Sequence, residues 1–336
     1  MKTSDVLVRQ ATRRKDEKLN ILTIATHERC ESMLAKTGHN FYAFVGSGHK
    51  NWNPKYAPIP DNYYLIKNHQ IPFGVTFDVV LSQSRLAHHD FLKSYVNANQ
   101  IPYITLEHTF PYDTWSKKIL SVFTNMKGHE NVFISDTSRK GWGFDESNSC
   151  VIEHAIDCDL FRPAVGGGPK RVASALSVAN EWVSRDQPLG WKFYQKAITG
   201  LPARIVGDNP GMSLPTNSVE ELASIYAQHS VFVNTSQISP IPMSLLEAMS
   251  SACICISTAT CQIPDIVKDG ENGFLADTPE EMRGIIAEVL SRPEDFAYIG
   301  EAARQTIIDR FGIDRFVKEW NEVFYRAADT PFLERL

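Results

Sequence analysis

The chain has 336 residues, 43% hydrophobic and 22% charged, with a formal net charge of −5. That is the composition of a soluble globular protein with room for one large domain or two ordinary ones. No apolar run approaches the length that spans a bilayer, and the charge gives no strongly basic, nucleic-acid-type signature.

The opening MKTSDVLVRQATRRKDEK has no signal-peptide apolar region; it reads as a basic lead-in or a short surface helix. Strand candidates then follow at LNILTIAT (19–26), FYAFVG (41–46), FDVVLSQ (77–83), IPYITLEH (101–108) and NVFISD (131–136). A second series runs through RVASALSV (171–178), ARIVGD (203–208), VFVNTS (231–236) and CICIS (253–257). Most are short apolar runs, as in parallel strands covered on both faces. Between them SVEELASIYAQHS (218–230) carries Leu222, Ile225 and Tyr226 on one helical face. Thr278-Pro279-Glu280-Glu281 is a capping-box start followed by Met282, Ile285, Ile286, Val289 and Leu290 at helical spacing. A last apolar stripe is Phe316, Val317, Trp320, Val323 and Phe324. Two series of alternating strands and helices predict two doubly wound α/β domains. Three glycines flanked by prolines within 151–170 mark the boundary. Residues 1–157 form the first domain, 158–312 the second, and 313–336 a terminal helix packing back toward the first.

Residues 1–157 hold 18 Lys/Arg against 16 Asp/Glu and nine of the ten histidines. The first domain is thus near +2 and the remainder near −7, which permits an anionic partner for the first without requiring one. Six scattered cysteines, none in a C-x-x-C pair, read as reduced thiols in a cytoplasmic protein; Cys253 and Cys255 alternate within a strand as small hydrophobes.

The chemistry concentrates in SPIPMSLLEAM (239–249). A strand ends, a proline-stiffened loop follows, and a helix opens with a single carboxylate, Glu247. In open α/β sheets ligands bind beyond the carboxyl ends of strands, where helix N-termini offer amides to phosphate. The amides near Met243, Ser244 and Leu245 would face an anion, and Glu247 would accept hydrogen bonds from ligand hydroxyls. A nucleoside diphosphate supplies both. On spacing alone the plainer reading, a charge favoured by the helix dipole, is the stronger.

SPIPMSLLEAMSSACICISTATCQIPDIVKDGENGFL resembles the EGFGLPLLEAMACGTPVV…PEVV.DGENG signature of the retaining family 4 glycosyltransferases, which have the GT-B fold of two Rossmann-like domains facing a central cleft. VIEHAIDCDLFRP and IPYITLEHTFP are similar to the family's interdomain segment and to its N-domain strand ending in histidine. The resemblance covers about 100 to 330 well and the first 100 residues weakly. It implies an enzyme that passes a sugar from a nucleotide diphosphate sugar, a UDP-sugar by preference, to a glycan or other hydroxyl acceptor, with retention and without metal or other cofactor. By resemblance Glu247 binds the ribose and His108 contacts the donor sugar. Ser239 occupies the position of the motif's first Glu, and Pro240 and Pro242 replace its glycines and remove N–H donors. Arg185 is the candidate for the phosphate-binding Arg. The family's Lys-Gly reads Leu189-Gly190, which leaves Lys192 as a substitute. His27 and Glu28, after the first strand, are acceptor-side candidates. The aromatic stretch 51–65 suits a glycan or a hydroxylated nucleobase in DNA, so nucleic acid stays open as a lesser acceptor. Asp157-Cys158-Asp159 reads as structural rather than metal-binding, and His88-His89-Asp90 as an exposed helix start. The departure at Ser239 leaves a non-catalytic nucleotide or sugar binder as the alternative; a sugar-nucleotide epimerase would need an acid/base pair that the sequence does not display.

Overall fold

A computed structural model describes residues 1–164 and 171–331, apart from the side chain of Ala173. The chain divides into two compact units, Met1–Glu153 together with the residues from Asp314 onward, and His154–Ile313. The sequence reading placed these divisions at 157 and 312; its glycine cluster at 166–168 lies outside the described residues.

The first unit is built on a seven-stranded sheet: β1 (Asn20–Ile24), β2 (Asn40–Val45), β3 (Tyr63–Lys67), β4 (Val79–Ser82), β5 (Tyr103–Glu107), β6 (Glu130–Phe133) and β7 (Cys150–Val151). Their order is β3-β2-β1-β4-β5-β6-β7, and all the pairings are parallel. β4 and β5 are buried along their whole length, which is why they read as continuous apolar runs rather than alternations. β3 was missed because NYYLIK sits in a polar, proline-rich stretch, and β7 because two residues carry no periodicity. The N-terminal segment takes the helical alternative, Thr3–Thr12. Its Val6 is buried in the core and its Arg9 pairs with Asp78 at 3.1 Å. The helix Ile313–Ala328 buries Phe316, Trp320, Val323 and Phe324, and Phe324 meets Phe41 of β2 edge-on at 6.0 Å.

The second unit carries β8 (Val172–Val178), β9 (Ala203–Val206), β10 (His229–Asn234), β11 (Ile254–Thr258) and β12 (Phe274–Ala276), ordered β12-β11-β10-β8-β9 and parallel. Alternation along the strands feeds two cores. Phe232, Cys253 and Cys255 pack with Tyr226, Leu245 and Phe311 on one face; Val231, Val233, Ile254 and Ile256 pack with Trp182, Tyr194 and Met282 on the other. Burial pushes the Cys253 thiol up to about 12, as befits a residue used as a hydrophobe. The hydroxyls of Ser218 and Thr278 accept the amides of Glu221 and Glu281 at 3.2 Å and start the helices Val219–Gln228 and Pro279–Ser291.

Both orders reverse direction once, between β1 and β4 in the first unit and between β8 and β10 in the second. These switch points are where doubly wound sheets open a crevice at their carboxyl ends.

Candidate functional site

At the switch point of the second unit, β10 ends at Asn234 and the loop to Pro242 leads into the helix Met243–Ser250. Glu247 lies one turn inside that helix and is fully buried. The Tyr226 hydroxyl, itself buried, donates to its Oε2 at 3.1 Å. An exposed helix-start charge would not be held this way, so the dipole reading does not account for this carboxylate. Ser239 is half-buried in the loop eight residues earlier, and Met243 and Ser244 are half-buried in the first turn. The Leu245 amide differs from expectation: it donates to the Pro242 carbonyl at 3.1 Å. The first turn of the helix uses that donor, and the Met243 and Ser244 amides are the ones that precede the helix's own ladder.

The segment after β8 is tied to the same loop. The Pro188 carbonyl accepts the Gln237 amide at 2.9 Å and the Ile238 amide at 3.2 Å. The Leu189 carbonyl accepts Trp182 Nε1 at 3.0 Å and the Thr235 hydroxyl at 2.9 Å. Gly190 follows with φ +68°, and a Cβ there would stand 2.2 Å from the Thr235 carbonyl oxygen; only glycine permits this approach. Arg185 caps the short helix Asp186–Leu189 and is exposed. Lys192 pairs with Asp186 at 3.2 Å, its side chain 82% exposed, so it is a solvated partner of a neighbouring acid. Under the loop, Asn234 donates to Ser257 and accepts from Ser236, and the Thr258 and Thr260 hydroxyls both donate to the Ser236 carbonyl at 2.6 Å. The loop therefore rests on a hydroxyl-rich floor that the sequence reading did not single out.

In the first unit a polar network joins the ends of β1, β4 and β5. His108 follows β5, and its Nε2 lies 3.3 Å from Oε1 of Gln83, just past β4. Burial, reinforced by His88, lowers His108 to about 4, so the ring is neutral at physiological pH. Gln83 Nε2 donates to Glu31 at 2.7 Å. The carboxylate of Glu107 accepts the amides of Arg85, His108 and Thr109 and the Thr109 hydroxyl. Arg85 is buried, 3.7 Å from Glu107, with its guanidinium over the rings of Phe133 and Phe144 at 4.9 and 4.8 Å. Strand alternation does turn Glu107 away from His108's side, and there it locks the turn that presents the histidine. Sequence offered no signal for Gln83, Glu31 or Arg85, because apart from the Thr26–Glu31 contact the partners that hold them are 20 to 60 residues away.

The acceptor-side pair separates. His27 is an exposed residue at the start of the helix Glu28–Ala35. Glu28 is buried, accepting Lys50 Nζ at 2.8 Å and the Asn53 amide at 3.0 Å; it tethers the 46–57 loop. The aromatic stretch 51–65 is likewise inward in part: Trp52 donates to the Ala57 carbonyl and Tyr63 to Glu31. His89 is buried and bonds the Tyr103 hydroxyl at 3.0 Å, which corrects the exposed reading of His88-His89-Asp90. Asp157 Oδ1 accepts the amides of Asp159 and Leu160, a turn that explains the D-x-D spacing. Among the described residues no group of three or more His, Cys, Asp or Glu is placed to hold a metal ion, and no helix is long and apolar enough to cross a membrane.

Residues 206–306 match the family model described as glycosyl transferases group 1. N-acetyl-alpha-D-glucosaminyl L-malate synthase of Bacillus anthracis is 22% identical over 151 residues, 39% of this chain and 40% of that protein. Sulfoquinovosyl transferase SQD2 of Arabidopsis thaliana is 32% identical over 117 residues, 33% of this chain and 21% of that protein. The matched stretch thus spans less than half of either relative. The crystal structure of Anabaena Alr3699/HepE in complex with UDP and glucose superposes with a TM-score of 0.74 at 14% identity, covering 91% of this chain and 99% of that one. Sucrose-phosphate synthase from Thermosynechococcus elongatus gives 0.71 at 13% identity, covering 92% and 99%. These likenesses show the GT-B fold.

Proposed function

We propose that this chain, whose residues 206–306 match the group 1 glycosyl transferases, transfers a sugar from a UDP-sugar to a glycan or other hydroxyl acceptor, with retention and without a protein-bound metal. The observation that carries the reading is Glu247: a buried carboxylate, oriented by Tyr226, one turn inside a helix that opens at the sheet's switch point. Ribose hydroxyls are the natural donors to that carboxylate, and the diphosphate suits the Met243 and Ser244 amides at the positive helix end. UDP accompanies the HepE complexes, which favours uridine as the base here. Arg185, on the turn joined to the donor loop, is the proposed cation for the diphosphate, its planar donors bridging two oxygens. Catalysis then comes from stabilising the charge that develops on the leaving diphosphate, with His108 orienting the sugar.

Calorimetric titration of UDP, GDP and ADP into wild type, Glu247→Gln and Lys192→Ala tests this. Micromolar UDP binding is expected, weakened at least tenfold by Glu247→Gln and changed less than twofold by Lys192→Ala. A folded wild type that binds none of the three removes the donor-site reading. A second reading, binding without transfer, rests on Ser239 and Leu189 standing where the family signature has Glu and Lys. UDP release from a bound UDP-sugar decides between the two.

A further inference from the structure

The hydrogen bonds around Gln83 fix which way its amide points, and with it the protonation of His108. Glu31 is fully buried and accepts the Thr26 amide at 2.9 Å, Gln83 Nε2 at 2.7 Å and the Tyr63 hydroxyl at 2.8 Å, while the Thr26 hydroxyl, 2.9 Å from Glu31 and 3.2 Å from Gln83 Oε1, has one proton to give to either of them. Gln83 Nε2 also faces the Thr23 hydroxyl at 3.2 Å and the Ile24 carbonyl at 3.5 Å. The Glu31 carboxyl at 2.7 Å is the near acceptor and the Ile24 carbonyl at 3.5 Å a weak one, so it is chiefly Glu31 that holds the amide nitrogen on this side. A flipped amide would set its oxygen against the Glu31 carboxylate and the Ile24 carbonyl together. Gln83 Oε1 therefore faces His108 Nε2, and an amide oxygen accepts only. His108 must donate from Nε2. In a neutral imidazole the other nitrogen, Nδ1, then holds the lone pair.

We propose that Gln83, anchored by Glu31, is a positioning residue that locks His108 in the Nε2–H tautomer and makes Nδ1 its hydrogen-bond acceptor. This rests on the reading of His108 as the residue that orients the donor sugar. It deepens that reading: any group that bonds Nδ1, a sugar hydroxyl included, must donate to it, and His108 does not act as a proton donor in transfer. Gln83 touches neither substrate nor nucleotide in this account. Its whole effect passes through the ring it holds. Thr26 and Glu31, Tyr63, Gln83 and His108 come from four separate stretches of sequence, all within the first unit.

The test is nitrogen-15 correlation spectroscopy of histidine-labelled full-length protein, with His108 assigned by its loss in His108→Gln. Wild type is expected to show a protonated Nε2 and a pyridine-like Nδ1 at neutral pH. Gln83→Met fills the same space without an acceptor and is expected to give mixed tautomers. Glu31→Gln frees the Gln83 amide to flip and is expected to do the same, a response that packing alone would not produce. If Gln83→Met does not fold, the wild-type spectrum and Glu31→Gln still decide. A wild-type proton on Nδ1, or an unmoved tautomer in both variants, overturns the proposal. The kinetic arm uses UDP and the UDP-sugar found to bind: Gln83→Met is expected to lower kcat/KM about tenfold with UDP affinity within twofold, and equal kcat/KM overturns the positioning role. Absence of any nucleotide binding in wild type instead defeats the donor-site reading, and the spectra report on the tautomer regardless.

Discussion

Replacing Glu107 by Gln isolates one charge at the end of β5. The side chain keeps its size, but the carboxylate now accepts three backbone amides and a hydroxyl, and an amide group cannot accept at both ends. Its charge also balances Arg85, which is 2% exposed and 3.7 Å away. Burial pulls the Arg85 pKa down and the Glu107 pKa up, each opposed by the attraction of the other. Breaking a buried ion pair by removing one partner costs about 3–5 kcal/mol, because the remaining charge stays buried without compensation. The aromatic rings around Arg85 offset part of this, since a cation over a desolvated ring gains about 2 kcal/mol. Those contacts persist in both proteins, however, so the difference remains about 3 kcal/mol or more. At about 2–4 °C per kcal/mol for a unit of this size, the midpoint of the first unit falls by roughly 6 °C or more. Urea and thermal unfolding followed by tryptophan fluorescence measure it, since Trp142 packs 5.7 Å from Arg85. A Glu107→Gln protein within about 1 kcal/mol of wild type would refute the pair as described.

Gly190→Ala forces a Cβ to 2.2 Å from the Thr235 carbonyl oxygen at a φ of +68°. Left-handed backbone alone costs a non-glycine residue about 1–2 kcal/mol, and the overlap adds to it. Urea unfolding should show the second unit destabilised by about 2 kcal/mol or more, and UDP affinity should fall with the displaced loop. Acid should weaken the first unit through His39, His88, His89 and His108, each held near 4 chiefly by burial. The unfolded chain titrates near 6.5, so it binds more protons than the folded one between the two values. This stability is full above about pH 6.5 and is lost as pH falls toward 4, at about 1.4 kcal/mol per histidine per pH unit. Urea midpoints at pH 7 and pH 5 should differ accordingly, and midpoints that do not fall with acid would exclude neutral buried rings.

The sequence by itself determined the two doubly wound domains, because parallel strands covered on both faces are apolar along most of their length, and β1, β4, β5, β10 and β11 carry that signal, while β9 is an edge strand with Ala203 and Arg204 exposed. It also determined the place of Glu247, since a strand, a stiffened loop and a helix start are local features and the LLEAM signature is contiguous. It did not determine β3, β7 or β12, which are short or set among polar residues, nor which expected site residues are structural. Glu28 and His27 are adjacent in sequence, yet one is a buried tether and the other an exposed helix start, because the Lys50 and Asn53 that capture Glu28 arrive from another loop. The Leu245 amide, expected to face a ligand, is instead taken by the carbonyl of Pro242 just before the helix. Only the tertiary structure decided the surroundings of His108: its partner Gln83, and Glu31 that bonds Gln83 in turn, are brought together by the order of β1, β4 and β5, and hydrogen bonds between groups 25 and 52 residues apart leave no periodic trace in the chain.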